Sequence, residues 1–105
     1  MEITQLQNLP FKEIVGYIDE NFYYTPSDFK NGDVINAANE NQGSAKVLYF
    51  AKMLKLSVED TLKLFAEHYV AVIGAKDGSS HQNIRSFMKN GWEGVEFEKE
   101  VLRIK

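Results

Sequence analysis

At 105 residues with a net charge of −3, the chain is sized for one domain and leaves no room for two independently folded cores. Interleaved acidic and basic residues deny it the clustered positive field that nucleic-acid phosphates require, so nucleic acid is not an expected partner. The absence of cysteine excludes disulfides and thiolate chemistry, and the longest apolar run, Tyr69 to Ala75, is far short of the roughly 20 residues that span a bilayer.

A single soluble domain over residues 1–105 is therefore expected, with seven Phe, five Tyr and one Trp available to fill its core. The opening Met-Glu-Ile-Thr-Gln has neither the basic nor the apolar region of a secretory signal, which leads to an expectation of cytoplasmic residence.

The first predicted element is an amphipathic helix beginning at Pro10. Phe11, Ile14, Val15, Ile18 and Phe22 share one face, Pro10 suits a first turn and Glu13 sits near the positive end of the dipole. Thr25-Pro26 disfavours helical geometry and stops the helix upstream. Residues 31–43, rich in Asn, Gly and Asp, read as an ordered loop with at most one helical turn between Asp33 and Ala38. A second helix runs from about Ser44 to Lys55, capped by Ser44, with Val47, Phe50, Ala51 and Leu54 inward.

Ser57 opens a third helix, with Asp60 approximating a capping box. Val58, Leu62, Phe65, Tyr69 and Val72 carry one stripe as far as Gly74, and the short join to the second helix implies an antiparallel hairpin. Ser80 is the expected cap of a fourth helix with Ile84, Phe87 and Met88 inward. Gly91 ends it as the left-handed residue of a Schellman motif, which brings Trp92 onto Phe87. Val95 to Glu98 alternates like a half-buried strand, and Val101, Leu102 and Ile104 offer a second short segment. The expected fold class is mainly α, with four principal helices and a small β element near the C-terminus.

Two polar stretches invite chemistry. In Asp77-Gly78-Ser79-Ser80-His81-Gln82-Asn83, free backbone N–H groups at a helix start favour an anion, and Arg85 lies one turn beyond His81. The commoner meaning of such a segment is a Ser-capped helix after a glycine turn. The stretch from Asn36 to Lys46 gathers amides, a hydroxyl and an amine, which either brace a loop or line a pocket.

His81 is the candidate acid or base, with Glu40 or Glu67 as its orienting carboxylate. Glu67 and His68, adjacent on a helix, diverge by about 100° and read as rim residues. Two histidines without cysteine or H-E-x-x-H spacing give no metal site. Ser44 lacks both the Gly-x-Ser-x-Gly context and the Ser-x-x-Lys spacing of a nucleophile. With no Walker loop or Gly-x-Gly-x-x-Gly, no cofactor is expected.

The order of these residues resembles the HopJ family of type III effector proteins. Thr25-Pro26, Phe29, Asn31-Gly32, Asn36, Ala38, Asn41, Gly43-Ser44, Lys46 and Phe50-Ala51 carry the likeness. It continues through Leu62, Phe65, Tyr69, His81-Gln82-Asn83-Ile84-Arg85, Phe87, Gly91-Trp92, Gly94 and Phe97. Ala66 and His68 stand where the family pattern leads one to expect Gly and Tyr.

The resemblance implies a small bacterial protein related to effectors delivered into host cells, and it brings no catalytic set with it. The expected activity is binding rather than catalysis, to a host or bacterial protein or to a small anionic ligand. The expected ligand residues are Asn36, Asn41, Ser44 and Lys46 together with His81, Asn83 and Arg85, the last gripping the anion through its fork. The alternatives are a small enzyme using His81, a resident protein that is not exported, and a protein whose polar residues are all structural and whose partner docks on an exposed apolar patch.

Overall fold

The computed structural model describes residues 2–105. Among these, two helices open the chain, α1 (Ile3–Leu6) and α2 (Phe11–Asn21), followed by strands β1 (Phe22–Tyr24), β2 (Phe29–Asn31) and β3 (Val34–Asn36). Four helices come next: α3 (Gln42–Met53), α4 (Val58–Lys63), α5 (Glu67–Gly74) and α6 (Gln82–Asn90). A 3-10 turn at Gly91–Gly94 leads into β4 (Val95–Phe97) and β5 (Leu102–Ile104). The architecture is thus mixed α/β, with six α-helices and two small sheets in place of four helices and one C-terminal β element.

Three differences account for that correction. The stripe from Val58 to Val72 does not form one helix, because Ala66 takes φ +52° and ψ −123° and breaks it into α4 and α5. Leu62, Leu64, Phe65 and Val72 all remain buried, so the apolar stripe is satisfied by two short helices at an angle. The segment read as a loop from Asn31 contains a hairpin: Asn31 pairs with Val34 across two residues, and Gly32 at φ +59° supplies the left-handed backbone that such a turn needs.

The two C-terminal strands, finally, do not pair with each other. β4 completes an antiparallel three-stranded sheet in the order β3-β2-β4, while β5 pairs with β1. Three-residue strands bury too few side chains to be stable alone; β1, β2, β4 and β5 each pair with a strand distant in sequence, and β3 is held by β2 and α6.

The core runs through the helices, with α2 packed on α3 and α6 packed on α4. Ile14 and Ile18 of α2, Val47, Leu48 and Ala51 of α3, and Phe87 of α6 are fully shielded from solvent, joined by Phe29, Val101 and Leu102 from the sheet side. Aromatic contacts tie the layers: Phe29 stacks on Phe97 at 5.1 Å, and Phe22 meets Phe50 edge-on at 5.7 Å.

The end of α6 brings Trp92 onto Phe87 as expected, but not through a Schellman motif, because Gly91 has ψ −155°, outside the left-handed helical region, and its own N–H donates to the Phe87 carbonyl. Gly91 takes φ +61°, Trp92 packs edge-on against Phe87 at 4.9 Å, and the indole N–H donates to the Leu56 carbonyl at 2.8 Å. The hairpin turn of β2 and β3 is pinned to α6 as well. A Cβ on Gly32 would fall 2.5 Å from the Ser86 hydroxyl, while the Gly32 N–H donates to the Gly94 carbonyl at 2.8 Å. This close approach fixes the position of β3, and with it Asn36, against the start of α6.

Candidate functional site

Four asparagines build the site's frame. Asn31 and Asn36, on β2 and β3, and Asn83, in the first turn of α6, are buried. The Asn83 amide donates to Asn36 Oδ1 at 2.9 Å and its own Oδ1 accepts from Asn36 Nδ2 at 3.1 Å. Asn31 Nδ2 reaches the Asn83 carbonyl at 2.7 Å and its side-chain oxygen at 3.1 Å. Asn41, just before α3, donates to Asn36 Oδ1 at 2.7 Å. Buried amides are tolerable only when nearly all their donors and acceptors are matched; here the Asn31 side-chain oxygen alone lacks a partner. The network therefore clamps the start of α3 to the start of α6.

That clamp has a local consequence. An asparagine before a helix normally turns its side-chain oxygen onto the first-turn N–H groups, but Asn41 is left-handed with its Nδ2 turned to Asn36, and its oxygen makes no capping bond. His81, in the same position before α6, makes none either. Both residues sit in the left-handed region, Asn41 at φ +48° and His81 at φ +54°. The first-turn N–H groups of α3 and α6 have no intrahelical acceptors, and each start carries the positive end of a helix dipole.

These two starts open onto one cleft of about 460 Å³, lined by Asn41, Gly43 and Ser44 of one and His81, Gln82 and Asn83 of the other, with Phe11, Phe65 and His68 closing it. Gly43 lets the Phe11 ring come close, since a Cβ there would stand 3.1 Å from it and oblige the ring to shift. His68 meets Phe11 edge-on at 4.9 Å and His81 at 5.0 Å between ring centroids. No carboxylate lines the cleft.

Of the residues singled out from the sequence, the fold brings Asn41, Ser44, His81 and Asn83 to this cleft. Asn36 lies beneath it as the hub of the amide network. Lys46 faces elsewhere: it pairs with Asp19 at 2.8 Å and covers the Tyr24 ring at 4.5 Å. Burial, with Asp19 adding to it, pushes the Tyr24 hydroxyl above its ordinary pKa. Arg85 spends its fork on backbone, donating to the carbonyls of Ala75 at 2.8 Å, Lys76 at 3.2 Å and Ser80 at 2.5 Å. Gly78 admits it, because a Cβ there would sit 2.9 Å from the guanidinium.

Neither carboxylate weighed as a partner for His81 lines the cleft. Glu40 accepts from the Ala37 N–H at 3.0 Å. Glu67 accepts from the Phe11 N–H at 2.8 Å, capping α2 from α5. That bond, followed by the one to its own backbone N–H and the nearby His68, holds the Glu67 carboxyl below the usual range against a small opposing effect of burial. His68, which the sequence places only at a rim, lines the cleft. The break at Ala66 starts a new helix and turns His68 toward His81, and positions 66 and 68 are the two at which the chain departs from the pattern it otherwise resembles.

The sequence pattern of the HopJ type III effector protein family matches residues 2–102. The chain belongs to that family. A solved crystal structure, that of the unknown function protein VPA0580, shares the fold with a TM-score of 0.90 and 37% sequence identity, over 100% of this chain and 95% of the other. No curated protein matches the chain. The HopJ family description thus identifies an effector-related protein, and the chemistry has to be read from the cleft. Among the described residues no helix is long and apolar enough to cross a membrane, and no group of three or more His, Asp or Glu is placed to hold a metal ion.

Proposed function

We propose that this HopJ-family protein binds a small anion, a carboxylate or phosphate group, in the cleft between the starts of α3 and α6. The observation that carries the reading is the convergence of two uncapped helix starts and two imidazoles on a cavity whose lining holds no negative charge. Two positive dipole ends held side by side repel each other unless an anion lies between them. The amide network supplies the rigidity that keeps them there, and rigid placement lowers the cost of binding. Ser44 adds a hydroxyl donor, while Phe11 and Phe65 give the cleft an apolar wall for the rest of the ligand.

The test is a titration of 15N-labelled protein with inorganic phosphate and, separately, with citrate. Saturable shifts at the amides of Gly43, Ser44, Gln82, Asn83 and Ile84 are expected, weakened several-fold in His68→Ala. Shifts scattered over the surface, or no saturation with either anion, would remove the proposal.

A further inference from the structure

The outer face of α5 and α6, away from the cleft, carries an exposed apolar groove. Val70, Ile73 and Met88 are 67%, 45% and 45% exposed, which is unusual for large apolar side chains on neighbouring helices of one small domain. Ile73 and Met88 border a groove of about 350 Å³ floored by the buried Val72, and its rim is Lys76, Arg85 and Lys89. Among the described residues none of these three cations has an ion-pair partner; the two salt bridges of the molecule are Lys46–Asp19 and Lys63–Glu59. Arg85 is bonded only to neutral carbonyls, so its charge stands uncompensated beside the groove. Between His68 and Trp92 the sequence has a single carboxylate, Asp77, although the chain as a whole carries −3.

We infer that this groove docks an acidic amphipathic helix of a partner protein. An apolar trough between two helices receives side chains at i, i+3, i+4 and i+7 of a third. The unpaired cations on both sides select a partner whose flanking positions are Asp or Glu. A second copy of this chain is disfavoured because its net negative charge is spread over other elements, and no acidic, apolar-striped helix of matching pattern is exposed on it.

The inference is tested with the full chain and two designed peptides of about five helical turns, sharing Leu at the apolar positions and bearing either Glu or Lys between them. Fluorescence anisotropy should show the Glu peptide binding at least about tenfold tighter than the Lys peptide, an advantage that shrinks as salt rises from about 0.05 M to 0.5 M. Met88→Asp should weaken the Glu peptide by about tenfold or more. Lys76→Glu with Lys89→Glu should transfer the preference to the Lys peptide, with circular dichroism confirming the fold of each variant.

Equal affinity for the two peptides would overturn the inference, as would binding of neither. So would Met88-dependent binding to phosphatidylserine vesicles without peptide binding, or a dimer that Met88→Asp dissociates. Phosphate binding in the cleft is read from different residues, so either result can fail alone.

Discussion

The start of α4 and the starts of α3 and α6 are built in contrasting ways. At α4, Ser57 lies in extended backbone and its hydroxyl accepts from the Asp60 N–H at 3.1 Å, so the helix start is satisfied from within. At α3 and α6 the preceding residues are left-handed, their side chains cap nothing, and both starts face the same cleft. The first arrangement stabilises one helix and does nothing else. The second leaves donors unmatched and carries backbone strain, and such costs persist where the surrounding structure over-determines them, as at binding sites. Here the over-determining element is the buried asparagine network.

Removing that network should give the largest effect. Asn83→Ala takes from the buried Asn36 amide its shortest acceptor and one of its donors, while Asn31 keeps its bond to the backbone carbonyl of residue 83, and a loss of about 2 kcal/mol in denaturant unfolding is expected. Phosphate shifts at Gly43 and Ser44 should weaken with it; retention of full binding would separate the network from the site. Ala66→Gly addresses the third irregular start, that of α5. Relieving an alanine at φ +52° should raise stability by about 1 kcal/mol, and an unchanged melting temperature would show the strain to be negligible.

Ser57→Ala tests the ordinary start. It should cost about 1 kcal/mol while leaving the phosphate titration untouched, which is the outcome that distinguishes a cap from a site. The smallest effect is expected at Glu67→Gln. Because the folded protein holds this carboxyl below its ordinary pKa, its contribution is present above the ordinary value and is lost as pH falls through the lowered one. Wild type and variant should therefore differ slightly in melting temperature at neutral pH and converge in acid; a difference that persists at low pH would point to packing instead of charge.

Helices α2, α3 and α6 were legible because their stripes recur over two turns or more, whereas α1 is a single turn with no stripe to show and one continuous stripe concealed the division between α4 and α5. The strands were not legible, for a physical reason: three residues show at most one alternation, too little to distinguish from a loop. The turn between β2 and β3 did leave a trace in Asn31-Gly32-Asp33, a hairpin signal hidden by its asparagine-rich surroundings.

Within the site, Asn41 was readable as a left-handed residue by type, whereas nothing about histidine announces φ +54° at position 81. Arg85 was visible as a cation, but its three backbone carbonyls arrive from a loop whose path only the fold determines. His68 became a cleft residue through the helix break at Ala66, and a continuous apolar stripe conceals such a break.

Strand pairing sets the order in which the molecule can be completed. β1 waits for β5 and β2 for β4, partners separated by more than half the chain, so a ribosome releases α2 to α6 before either sheet has its final edge. Contacts this distant along the chain slow folding, and until they form, the backbone of β1 and one side of β2 present open hydrogen-bonding groups to other molecules. A stop at Gly94 would leave both edges permanently bare, and such a fragment should aggregate rather than persist as a smaller version of the protein.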